Sequence, residues 1–187
     1  RAIAVMRDLV ERYKNYREVA ENAKLRLAFL YIIAGEREKA EELLSRLYKL
    51  SARRKFRRLV ADLLYVLESP DNALLFITGD DYYTVYLDGR KLTEGTLYED
   101  FKPVRLRLLP GEHTVLVECK NVLLFGGVCV EIVSMRGTLI SDREWLITSP
   151  PEKIDRKWYL HPEELDGWKK ATEYYRPWEV LFWTRNF

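Results

Sequence analysis

Apolar residues recur at intervals of three and four through the first third of the chain, as in Ala28, Tyr31 and Ile32 and then Ala40, Leu43, Leu44 and Leu47, with charged residues between them. A period near 3.6 places such positions on one face, so the pattern predicts amphipathic helices. Breaks near Lys14 and Asn15, at Gly35 and over Leu50 to Ala52 divide the region into helices at about 2–13, 16–34, 36–50 and 52–68. Links this short make neighbouring helices antiparallel. Gly35 stands where a helix ends in a left-handed residue, a conformation glycine adopts at no steric cost.

Ser69, Pro70, Asp71 and Asn72 end the helical pattern, and β-branched and aromatic runs broken by Gly, Pro and Asp follow. The boundary falls near residue 70, giving a helical segment over 1–70 and a β part over 71–187. Strands are expected at 73–78, 82–87, 103–109, 112–119, 127–134, 137–140 and 143–148. Asp88 with Gly89 suits a two-residue hairpin, and Pro110 with Gly111 marks another turn. Short strands at this spacing without intervening helices indicate an antiparallel sandwich or barrel. The fold class expected is therefore an α+β chain in two parts, antiparallel helical hairpins followed by an antiparallel β-sandwich.

The composition supports a packed core, with 48% hydrophobic and 13% aromatic residues among 187. The net charge of +2 points to neither nucleic acid nor an acidic tail. Its distribution is uneven. Residues 1–70 hold 16 basic and 10 acidic residues, leaving 15 and 19 for 71–187, so the two parts carry about +6 and −4. No run of 18 apolar residues spans a bilayer, and no signal-peptide stretch is present. The chain begins at Arg1 without an initiator Met, as a processed export product or a fragment would, which tilts the expectation toward export. Cys119 and Cys129 could bridge across a hairpin in an oxidising compartment. Alternation argues against it, because Cys119 falls with Val115 and Val117 whereas Cys129 falls with Glu131, opposite Val128 and Val130.

From Leu27 to Leu47 the sequence resembles the tetratricopeptide repeat family. Leu27, Ala28 and Tyr31 stand at the spacing of its first helix, Gly35 at its turn, and Ala40, Leu44 and Leu47 at its second helix. Lys24 departs from the Trp common there. The resemblance implies one full repeat with half a repeat on either side, within 2–68. Stacked repeats normally need three or more units, so another surface must cover the ends.

From about Leu74 to Ala171 the chain resembles the galactose-binding-like jelly rolls that accompany many glycoside hydrolases. The residues that carry this are Asp80 to Gly89, then Leu109, Pro110, Gly111 and His113 before Val115 to Glu118, then Asn121, Gly126 and Gly127. Ser141, Asp142, Trp145 and finally Asp166, Gly167, Trp168 and Ala171 complete the series. That family implies an eight-stranded sandwich which binds sugar in some members and only packs against a partner in many. Its sugar-binding residues vary between members, so none is carried over.

Candidate chemistry is sparse. Asp80 and Asp81 offer too few oxygens for Ca²⁺ and read as a solvated turn. His113 and His161 have no neighbouring Cys or Glu pattern for zinc, so no metal or other cofactor is expected. No Ser or Cys stands on a Gly-flanked elbow and no carboxylate pair is singled out, hence no catalytic residue and no enzyme activity are assigned. Arg53, Arg54, Lys55, Arg57 and Arg58 form a basic cluster without stacking aromatics alongside. It reads as a solvated or acid-facing surface rather than a nucleic-acid site. Trp178, Phe182, Trp183 and Phe187 crowd the C-terminus and read as an assembly interface.

These features lead to a non-enzymatic structural or scaffolding protein that self-associates, as an extracellular or cell-surface assembly or filament subunit with homo-oligomeric partners. The alternative is a carbohydrate-binding accessory module of a larger polysaccharide-degrading protein, with an oligosaccharide as partner.

Overall fold

The computed structural model describes residues 1–79, 82–96, 103–120, 127–142, 144–148, 160–162 and 166–171. Four helices come first, α1 (Ala2–Arg12), α2 (Arg17–Ile33), α3 (Arg37–Leu50) and α4 (Arg54–Glu68), each inside the span its periodicity predicts. Consecutive helices pack against one another. Gly35 closes α2 at φ 73°. The Gly35 amide donates to the Ile32 carbonyl at 3.0 Å and the Glu36 amide to the Tyr31 carbonyl at 2.8 Å, the paired bonds of a Schellman motif. A side chain at Gly35 would meet no atom within 4 Å, so what selects glycine is the left-handed backbone alone.

In α4, Phe56, Val60, Leu63 and Leu67 form a buried stripe joined by Val66. Its polar edge is fastened to the strands that follow. Tyr65 donates its hydroxyl proton to the Leu106 carbonyl at 2.8 Å, and Asn72 Nδ2 donates to the Tyr65 carbonyl at 2.7 Å. Asp62, buried, pairs with Arg105 at 2.8 Å, and the Arg105 guanidinium lies 4.9 Å from the Tyr65 ring centroid.

The strands are β1 (Asn72–Gly79), β2 (Tyr82–Leu87), β3 (Arg90–Thr96), β4 (Val104–Arg107), β5 (Val115–Lys120), β6 (Val128–Ser134), β7 (Gly137–Ile140), β8 (Leu146–Ile147) and β9 (Lys169–Lys170). They form antiparallel sheets. One has the order β4-β1-β6-β7, a second β3-β2-β5, and β8 pairs with β9. Ala73 to Ile77 in β1 are all buried, as an inner strand covered on both faces requires. The chain divides into two compact units, one of Arg1–Leu75, Arg105–Pro110 and Ile132–Thr138, the other of Phe76–Val104, Gly111–Glu131 and Leu139–Phe187.

β8 is shorter than the expected 143–148 and β9 was not expected, and two further departures have local causes. β3 was not expected, although the Asp88-Gly89 turn demands a returning strand. Leu87 pairs with Arg90 across that turn, and Asp88 and Gly89 sit at φ 50° and 70°, the left-handed pair of a type I′ hairpin. The sequence Arg90 to Thr96 hides the strand because its charges and Gly95 depress β propensity. Residues 112–114, expected in the strand that became β5, lie before it. There the Asp88 carboxylate accepts the Thr114 amide at 2.8 Å and faces the His113 ring at 2.7 Å.

Candidate functional site

The positions expected to pack a helical repeat lie on α2 and α3, which pack against each other. Leu27, Ala28, Tyr31, Ala40, Leu44 and Leu47 are buried, with Ala28, Ala40 and Leu44 at 0% exposure. Two alanines without exposed surface allow the helix backbones to approach closely. Tyr31 fills the space beside them and reaches further, its hydroxyl accepting a hydrogen bond from Arg7 Nε of α1 at 2.8 Å. Arg7 and Lys39 also stand over its ring, at 5.6 and 5.8 Å from the centroid, so one side chain links three helices.

A polar knot that no sequence motif announces ties the start of α2 to the α3–α4 link. Glu21, buried, faces Arg17 at 3.2 Å, accepts from Ser51 Oγ at 3.2 Å and lies 3.8 Å from Arg53. Arg53 also pairs with Glu18 at 3.2 Å, and Arg17 donates to the Leu50 carbonyl at 3.0 Å, satisfying the end of α3. Glu21 is 30 residues from Ser51, and only tertiary packing makes them partners.

Around this packed interior the helices leave apolar surface uncovered. Despite the sequence Ala2-Ile3-Ala4-Val5-Met6, no residue of α1 is buried, and Val5 is 53% exposed. At the end where α1 meets α2 and α3 meets α4, Tyr13 packs edge-on to Tyr16 with ring centroids 6.2 Å apart. Tyr16 is 65% exposed and Leu50 is 74% exposed. Arg54, Lys55, Arg57 and Arg58 begin α4 at the same end and are all exposed.

The β part carries several ionisable groups with shifted pKa values. For Asp88, burial raises the pKa, but the His113 hydrogen bond and the Thr114 amide outweigh it, and the carboxyl is held below its ordinary range. Glu131 on β6 is 5% exposed, and burial pushes its pKa up to about 7. The neighbouring Cys129 thiol is pushed up to about 11 by burial and by Glu131, against a hydrogen bond from Ser141. Cys119 and Cys129 are free thiols on strands of different sheets. Trp168 is partly buried, its indole nitrogen donating to the Pro162 carbonyl at 3.1 Å.

No group of three metal-ligating side chains occurs among the described residues, and no described helix is long and apolar enough to cross a membrane. Asp80, Asp81 and the expected assembly residues Trp178, Phe182, Trp183 and Phe187 lie outside the described residues. Compared with family models, curated proteins and solved structures, the chain matches none.

Proposed function

We propose that this chain is a non-enzymatic scaffolding protein whose copies associate, in an extracellular or cell-surface assembly. In this reading a tetratricopeptide-like segment over 1–70 leads into a galactose-binding-like jelly roll over 71–187. The observation that carries it is α1, an amphipathic helix whose apolar residues Ile3, Met6, Leu9 and Val10 are only half-buried and whose Val5 is 53% exposed. Partly exposed apolar surface on a helix is stabilised when it is covered, and in this reading a neighbouring copy supplies the cover. The aromatic C-terminus, with Trp178, Phe182, Trp183 and Phe187, provides a second contact in the same scheme. Opposite net charges on the two parts, about +6 and −4, favour head-to-tail contact, which propagates into filaments unless its rotation closes.

Size exclusion with light scattering on the full chain tests this. Oligomers that grow with concentration and weaken with salt are expected. Val5→Asp, at an exposed position, and the pair Trp178→Ala with Trp183→Ala should each move the protein toward monomer. A parent that stays monomeric and binds a defined oligosaccharide replaces this reading with that of a carbohydrate-binding accessory module.

A further inference from the structure

We infer that the end of the helical layer formed by the α1–α2 and α3–α4 links docks on an anionic membrane surface. Docking there needs no self-association between copies. It starts from a juxtaposition that the sequence does not display: Tyr13 and Tyr16 are some forty residues from the basic run, yet the bonds Arg17 to Leu50, Ser51 to Glu21 and Arg53 to Glu18 hold them at one end.

Three kinds of side chain meet there. Arg54, Lys55, Arg57 and Arg58 occupy four of the first five positions of α4, exposed, with no acidic residue in its first turn. The helix dipole disfavours cations at that position, so the run weakens α4 in isolation. Lys49, Arg54, Arg57 and Arg58 enter no ion pair among the described residues, whereas Arg17 and Arg53 are engaged with Glu21 and Glu18. At the same end of the helices stand the Tyr13–Tyr16 pair and Leu50, the most exposed of the large apolar side chains described at 74%.

That mixture selects among polyanions. Nucleic acid offers phosphates to the cations and base faces to the tyrosines, but an aliphatic side chain gains little from either. A lipid interface takes all three: anionic headgroups for the guanidinium and ammonium groups, headgroup depth for the amphipathic tyrosines, and the acyl boundary for Leu50. The attachment is peripheral, because the contact is made by two short links and the first turns of α4.

Co-sedimentation of the full chain with phosphatidylcholine vesicles, with and without phosphatidylserine, tests the assignment. Binding is expected only when phosphatidylserine is present, and added salt should weaken it. Each cation near such a surface contributes a factor of about five, so the triple variant Arg54→Glu, Arg57→Glu, Arg58→Glu should bind at least about a hundredfold more weakly. All three positions are exposed, and far-UV circular dichroism matching the parent confirms that the variant folds. The pair Tyr16→Ser with Leu50→Ser should lower vesicle binding while leaving retention on heparin unchanged, which separates lipid insertion from simple attraction to a polyanion. No binding to phosphatidylserine vesicles, tighter binding to a single-stranded oligonucleotide than to vesicles, or an unaffected Tyr16/Leu50 variant each overturns the inference. Vesicle binding by a chain that light scattering finds monomeric sustains it while removing the self-association reading.

Discussion

Glu131 shows how much a single side chain can set. It stands on β6 with 5% exposure and no hydrogen-bond partner among the described residues, so its charged form loses water without compensation. Its pKa accordingly rises from 4.5 to about 7. Between those values the folded chain holds a proton that the unfolded chain has released. Folding is therefore most favoured by this group below about pH 4.5, and that advantage is lost as pH rises to about 7. Glu131→Gln should remove this slope and stabilise the protein at pH 8 by on the order of 1 to 2 kcal/mol, allowing for residual solvent screening. Urea titrations of parent and variant across this range check it. Equal pH slopes would mean that the Glu131 carboxylate is solvated in the folded state. Alternation along β6 already placed Glu131 with Cys129. Whether that face is covered depends on what packs there, which alternation alone does not tell.

At the scale of elements, the α2–α3 hairpin makes the most direct prediction. Tyr31→Ala opens a cavity where three helices meet and strips the Arg7 hydrogen bond, at roughly 2 to 4 kcal/mol. Ala40→Leu inserts bulk at a position with 0% exposure and should cost roughly 1 to 3 kcal/mol by overpacking. Thermal melts that match the parent for both would show that these side chains do not hold the hairpin. The helices were legible because the 3.6-residue period runs over many turns and Gly35 punctuates it. β3 was not, since seven residues with Arg90, Lys91, Glu94 and Gly95 look like a loop until Asp88 and Gly89 are allowed to dictate a partner strand. The polar knot at Glu21 and the gathering of Tyr16 and the start of α4 at one end of the helices escaped for another reason. Both join residues some thirty to forty positions apart, and local periodicity carries no information at that range.

For the whole molecule, the decisive question is what α4 needs in order to stay folded. The compact unit that contains the four helices also includes Arg105–Pro110 and Ile132–Thr138. Within it, Asp62 takes its counter-charge from Arg105, Tyr65 donates to Leu106, and Asn72 donates to the Tyr65 carbonyl. A fragment ending at residue 70 keeps α4 but loses all three partners. It leaves the Asp62 carboxylate unpaired on a helix whose first turn already works against its dipole. Four short helices alone bury little area to offset that loss. The fragment 1–70 should therefore keep helical circular dichroism but melt over a broad range without a cooperative transition, whereas the full chain melts sharply. In the full chain, Arg105→Ala should reproduce part of the defect, roughly 1 to 3 kcal/mol, by leaving a buried carboxylate without its cation. Arg105→Lys should restore some of it, because a point charge can reach Asp62 but cannot stack flat on the Tyr65 ring. A sharp, cooperative melt of 1–70 alone would mean that the helices pack as a finished unit and that the strand contacts to α4 add nothing to its stability.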